Sequence, residues 1–334
     1  MQVNPPFFYE AFGLAIRANG PLPGFREVQP RDVDLEIEWS DRDVEAGDPL
    51  KDEILYASAG RTGDGAPFFT VSRPHGAPNG HLRCRHFNDA GRGCFDVEPS
   101  GGRVVISAGP GVPKANLMAY LTGPVMGCVL RLRGLTCLHA AVVSIKGRAI
   151  ALMGPKGSGK STLAAALAER GYAVLTDDIA AISEDDGCIK VEPAYPRMRL
   201  WPESQQFVPG LSMDALPRVL STMDKRYQPL TGDDSTSQWR FSTSSARLAA
   251  LYALSVSSEN VAQVTATSRA RGIMVLTANT YARYLEDQST CRRDFRVFGM
   301  VASRASVCIA DGPRGLEGFR QRCARIIEHA ESLP

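Results

Sequence analysis

Residues 138 to 178 read LHAAVVSIKGRAIALMGPKGSGKSTLAAALAERGYAVLTDD, and no other stretch of the chain narrows its choice of folds so far. The centre, Gly154 to Ser161, fits the pattern G-x-x-x-x-G-K-[ST], which has physical meaning only between a strand and a helix. Both flanks supply that context. "AAVVSI" and "RAIALM" are apolar runs of strand length joined across Lys146-Gly147, "KSTLAAALAERG" is a helix stopped by Gly171, and "YAVLTDD" is a further strand. Gly154, Gly157 and Gly159 let the backbone curl until its N–H groups point inward, and a helix starting near Lys160 adds the positive end of its dipole. Such a loop cradles phosphate. The expected nucleotide-binding set is therefore Gly154, Pro155, Lys156, Gly157, Ser158, Gly159, Lys160, Ser161 and Thr162. Lys160 would reach the β- and γ-phosphates of ATP, and the Ser161 hydroxyl would hold Mg²⁺.

Two further features flank the loop. Asp177 and Asp178 close the strand that follows the loop helix, where one carboxylate can organise Mg²⁺ and a second can accept a proton from an attacking hydroxyl. The residues alone leave open which of Asp177 and Asp178 takes which part. His139 precedes the loop by one hairpin. Taken one at a time, an Asp-Asp pair reads equally as a helix cap, and a lone His among apolar residues as a structural side chain.

The rest of the chain reads as an α/β protein with a β-rich N-terminal domain, 1–130, and a catalytic domain, 131–334. Short apolar or alternating runs bounded by turn residues recur in the first hundred residues: "FGLAIRANGPLPGF", "DLEIEW", "PFFTVS", "HLRCRHF", "GCFDVEP" and "GRVVISAG". Residues 40–65 are polar and rich in Gly and Asp, as in a long loop. "ANLMAYLTGPVMGCVLRLRG" predicts a helix kinked at Gly123-Pro124 that bridges into the second domain. Farther on, "AAIS-EDDG-CIKVEP" reads as a hairpin, "LAALYALSV" and "ASVCIA" as strands, and "GIMVLTANTYARYLEDQ" and "GLEGFRQRCARIIEHAE" as helices.

Composition excludes several classes of function. No run of 18 apolar residues is present, so no membrane span is expected. The eight cysteines contain no C-x-x-C pair, which argues against zinc and a disulfide framework, and with no secretory signal the expected location is cytoplasmic. A net charge of +2 leaves no electrostatic footprint for nucleic acid.

Taken together, a His 21 residues before Lys160 and an Asp-Asp ending 18 residues after it resemble the catalytic domain of bacterial HPr kinase/phosphorylase. The resemblance implies that His139 and Asp178 flank the transferred phosphate, with Asp178 as proton acceptor. The wider pattern, "AFGL…PLPG", the loop block and "RLWPES", is similar to a divergent branch that includes serine kinases of lasso-peptide precursors. That similarity implies a peptide or protein substrate with an acceptor serine, held by the N-terminal domain and residues 200–245, and a homo-oligomer, since the family forms rings. The family's Glu-Ile-Arg-Gly loop is absent; Glu203, 43 residues after Lys160, stands at its spacing and is the candidate second metal ligand. "SRARGI" loosely echoes the family's later basic loop, with Arg271 as a candidate nucleotide contact beside Arg269. Without those signatures, a reverse phosphorylase reaction is not expected. The residues themselves leave open a module that binds ATP without transferring phosphate, and a small-molecule kinase related to phosphoenolpyruvate carboxykinase.

Overall fold

A computed structural model describes residues 5–41, 52–88, 91–185, 187–232 and 238–334. The chain is a strand-rich α/β protein with several sheets and divides into two compact units. One comprises Met1–Leu135 with Ala282–Glu286, the other Thr136–Tyr281 with Asp287–Pro334.

The first unit is built on one nine-stranded sheet. Its strands are β1 (Phe7–Ala11), β2 (Leu14–Ala18), β3 (Arg26–Glu27), β4 (Leu35–Ser40), β5 (Glu53–Ala57), β6 (Phe69–Arg73), β7 (Leu82–Asn88), β8 (Gly91–Val97) and β9 (Arg103–Ala108). They run in the order β3-β1-β2-β4-β9-β8-β7-β6-β5, parallel only at β2–β4 and β4–β9. Two details depart from the sequence reading. The strand expected in "FGLAIRANGPLPGF" is β2, and Phe12 and Gly13, both at positive φ, turn the chain into it from β1, which the sequence reading did not mark. Within the supposed loop 40–65, residues 42–51 lie outside the described residues, but Glu53–Ala57 is a strand paired with β6. Its side chains are mostly exposed, so it lacks the apolar alternation that marks a half-buried strand. The helical segment follows as α1 (Lys114–Tyr120), a wide turn at Leu121–Val125, and α2 (Met126–Leu132). Gly123 leaves helical dihedrals and Pro124 has no N–H to donate, so the kink falls where the sequence placed it.

The second unit carries the loop. Its elements begin with β10 (Thr136–Ile145), β11 (Arg148–Met153), α3 (Lys160–Glu169), β12 (Ala173–Thr176), β13 (Ile179–Asp185) and β14 (Cys188–Val191). They continue with β15 (Arg197–Leu200), β16 (Arg218–Leu220), β17 (Met223–Pro229), β18 (Ala246–Leu254), β19 (Gln263–Ala266), α4 (Arg269–Ala278), α5 (Gln288–Arg304), β20 (Ser306–Asp311) and α6 (Gly315–Ser332). β11 pairs with both β10 and β18, so β11, β10, β13, β14 and β18 close into a ring that β20 and β19 extend. Alternation along β10 sorts the two cores. Ala141, Val143 and Ile145 pack in one cluster with α3 and α6, whereas Leu138, Ala140 and Val142 join Leu276, Val297 and Phe298 of α4 and α5. α3 is buried on nearly every side, and its alanines permit that close approach. The sequence reading missed α5, running "GIMVLTANTYARYLEDQ" as one helix where α4 stops at Ala278. The start of α5 is fixed by a capping box, in which Asp287 accepts from the Thr290 N–H and the Thr290 hydroxyl accepts from the Asp287 N–H.

Candidate active site

The loop Gly154–Gly159 joins β11 to α3, as its pattern requires. Gly154 has φ 145°, and a Cβ there would lie 2.8 Å from the Ser158 hydroxyl. Gly159 caps α3 with φ 90°, a conformation that favours glycine. The first bond of the helix runs from the Leu163 N–H to the Gly159 carbonyl at 2.8 Å, so the N–H groups of Lys160, Ser161 and Thr162 have no intrahelical acceptor. Pro155, Lys156 and Gly157 are exposed. The Lys160 ammonium folds back, donating to the Gly154 carbonyl at 2.7 Å and the Pro155 carbonyl at 3.2 Å. Its pKa is lowered by burial and by Lys225, while Asp178 and Asp177 pull it up; these four groups share one electrostatic neighbourhood.

Asp177 and Asp178 occupy the bend between β12 and β13. Thr176 sets that bend: its hydroxyl donates to the Ile179 carbonyl at 2.9 Å and accepts from the Asp178 N–H at 3.5 Å. Asp177 is buried, and its Oδ2 accepts from the Arg199 N–H. Burial pushes its carboxyl pKa up, against the pull of Lys225, while the Asp178 charge adds to the rise. Asp178 Oδ1 lies 3.2 Å from His139 Nδ1 and Oδ2 lies 3.7 Å from Arg199 Nη1. Burial works to raise the Asp178 pKa as well, but the bond and charge of His139, with Arg199 and Lys225, hold it well below the usual carboxylate range.

His139 is anchored through its backbone, its N–H donating to the Asn279 carbonyl at 2.7 Å. The Asn279 side chain in turn accepts from the Gly154 N–H at 3.0 Å. One residue at the C-terminal end of α4 thus ties the histidine strand to the loop. The Thr162 and Ser204 hydroxyls meet at 2.9 Å, which holds the short 3-10 turn Pro202–Gln206 against the first turn of α3 and brings exposed Glu203 to that end of the site. Arg271 is not brought there. It lies in the first turn of α4, eight residues before Asn279, about 12 Å along the axis from the end that meets the loop.

Arg199, Lys225, Asn279 and Ser204 were not singled out from the sequence. For Arg199 a signal existed: in "RMRL" the arginines alternate with Met198 and Leu200, which are buried. Arg199 itself is also buried, its guanidinium 5.6 Å from the Tyr195 ring centre and 5.9 Å from that of Tyr227. The other three are joined to the site only by tertiary contacts.

No family model matches the chain, and no curated protein matches it. Among solved structures, the Hpr(Ser) kinase/phosphatase from Coxiella burnetii aligns at 10% identity and a TM-score of 0.29, over 58% of this chain and 96% of that one. No helix among the described residues is long and apolar enough to cross a membrane.

Proposed function

We propose that the chain is an ATP-dependent kinase that transfers the γ-phosphoryl group to a serine hydroxyl of a peptide or protein, with a lasso-type precursor peptide as the first candidate. The observation that carries this reading is that the loop lysine, Lys160, shares one electrostatic neighbourhood with the Asp177–Asp178 pair, to which His139 and Arg199 are bonded. A module that only held Mg·ATP would need the loop and one carboxylate for the ion, but not a second carboxylate bonded to His139. In the reaction, a serine Oγ–P bond forms as the bond from Pγ to the β,γ-bridging oxygen breaks. The hydroxyl proton goes to Asp178 and the electron pair leaves with ADP. A depressed Asp178 pKa suits this role, because the loose transition state of phosphoryl transfer asks for orientation of the hydroxyl more than for a strong base. The choice of serine and of a peptide rests on the resemblance of the sequence motifs.

Mg²⁺ fits the residues present. It takes one or two protein ligands and completes its shell with water and phosphate, and the Ser161 hydroxyl at the start of α3 with the second oxygen of Asp177 meets that need. The ion would neutralise charge developing on the phosphate oxygens. Glu203, exposed near the same end of the site, would reach the ion through water.

The test is incubation of the full chain with labelled ATP, Mg²⁺ and a panel of serine peptides, beside Lys160→Ala. Acid-stable phosphoserine formed by the wild type and lost in the variant supports the reading. Equal label transfer by both would remove the loop from the chemistry.

A further inference from the structure

The small sheet β15-β17-β16 has two chemically distinct faces. In the β15–β17 ladder Arg199 lies opposite Tyr227 and Arg197 opposite Pro229, so these side chains share a face with Lys225, two residues before Tyr227. The opposite face presents Met198 and Leu200, both within the core that packs against α3. The sheet therefore sits with its apolar face inward, while from the other face the Arg199 guanidinium reaches Asp178, and the Arg199 main-chain N–H meets Asp177 at the open edge of β15. Two cations on that face differ in their engagement. Arg199 is committed to the carboxylates and to the rings of Tyr195 and Tyr227. Lys225 is half-buried and makes no hydrogen bond or ion pair among the described residues, while Asp224 and Arg226 on either side of it pair with each other at 2.9 Å. Lys225 shares its face of the sheet with Arg199, whose guanidinium lies 3.7 Å from Asp178, and its charge acts in the same direction on both carboxylates.

Resting on the kinase reading above, we infer that Lys225 is a further catalytic residue: its ammonium meets the γ-phosphate of ATP from the side of the β15–β17 sheet, across from Lys160. Lys160, Lys225 and Arg199 outnumber the two carboxylates around them, and the γ-phosphate supplies the missing negative charge. Lys160 enters along the loop and serves both β- and γ-phosphates. Lys225, approaching past Asp178, serves the group that moves. As the γ-phosphoryl group leaves the β-phosphate its negative charge spreads over three equatorial oxygens, and a fixed cation there stabilises the transition state.

The experiment measures Mg·ATP and Mg·ADP affinity by calorimetry on the full chain, for wild type, Lys225→Met and Lys225→Arg, with single-turnover transfer in parallel. Methionine keeps the length of the side chain and removes its charge. Lys225→Met should weaken Mg·ATP about tenfold, change Mg·ADP less than twofold, and slow transfer about 10²-fold; Lys225→Arg should recover most of both. Equal weakening of the two nucleotides, or no change in either, overturns the inference, and comparing the thermal midpoints of the variants shows whether a loss reflects misfolding. The two readings fail separately. A wild type that binds Mg·ATP over Mg·ADP in a Lys225-dependent way without phosphorylating any serine removes the serine-kinase reading and keeps the contact of Lys225 with the γ-phosphate. A wild type that transfers phosphate as fast as Lys225→Met removes only this one.

Discussion

Replacing Asp178 by Asn changes one charge in the centre of the site and little else in its shape. The wild-type carboxylate has His139 Nδ1 at 3.2 Å and Arg199 Nη1 at 3.7 Å, with side-chain exposures of 22% for Asp178 and 10% for Arg199. At an effective dielectric of about 20, an ion pair at that separation is worth about 4 kcal/mol before desolvation. Desolvation of the pair offsets about half of it. Asn can still accept from His139, and Asp177 still faces Arg199, so Asp178→Asn should lower stability at neutral pH by about 1–2 kcal/mol while leaving the fold intact. ATP affinity should stay within a few-fold, because Lys160 and the loop are untouched. Transfer should fall by about 10²–10⁴, the usual contribution of a positioned proton acceptor. Urea unfolding, ATP titration and single-turnover transfer on one preparation separate the three effects. Unchanged transfer in Asp178→Asn would refute the assignment of the acceptor, and a loss of ATP binding equal to the loss of transfer would refute the division of labour between Asp178 and the loop.

Four other outcomes follow from the same geometry. Gly154→Ala places a Cβ 2.8 Å from the Ser158 hydroxyl at φ 145°; it should cost about 1–3 kcal/mol and abolish nucleotide binding, measured by thermal unfolding and ATP titration. Thr162→Ala and Ser204→Ala should couple by about 0.5–1.5 kcal/mol in a double-mutant cycle, and strict additivity would show that the 3-10 turn is not held to α3 through their hydroxyls. The depressed Asp178 pKa gives stability that is present above the ordinary carboxylate value of about 4 and is lost as pH falls below it, so the stability gap between wild type and Asp178→Asn should hold down to about pH 5 and shrink as pH falls from there toward about pH 2. Asp177→Asn should instead weaken the dependence of transfer on Mg²⁺ concentration, and a variant with the wild-type Mg²⁺ response would remove Asp177 from the ion.

How much of this could be read in advance varies by element. The β10–β11 hairpin, the loop and α3 were legible because local chemistry dictates them: two apolar runs across Lys146-Gly147, then glycines where φ must be positive, then a run of helix formers. The kink at Gly123-Pro124 was legible for the same reason. β5 was not, because its side chains are mostly exposed and carry no alternation. α5 could have been found from Asp294, Val297, Phe298 and Val301, its buried residues at helical spacing, but the apolar run before it drew the boundary across α4. At the site, the loop, His139 and the aspartates announce themselves in sequence. Arg199, Lys225 and Asn279 do not, since each reaches the site through strand register or a helix end set by long-range packing. Arg271, chosen because "SRARGI" loosely echoes the family's later basic loop, lies at the far end of α4 because that helix points its C-terminus at the loop.

Single-turnover transfer by the wild-type chain tests the central claim most directly. With enzyme in excess over γ-labelled ATP, Mg²⁺ present and a serine peptide supplied, the account requires the label to move onto the peptide as acid-stable phosphoserine, with one ADP formed for each phosphate transferred. Label that stays on the nucleotide, or appears only as inorganic phosphate, would contradict it and make the site a holder of nucleotide.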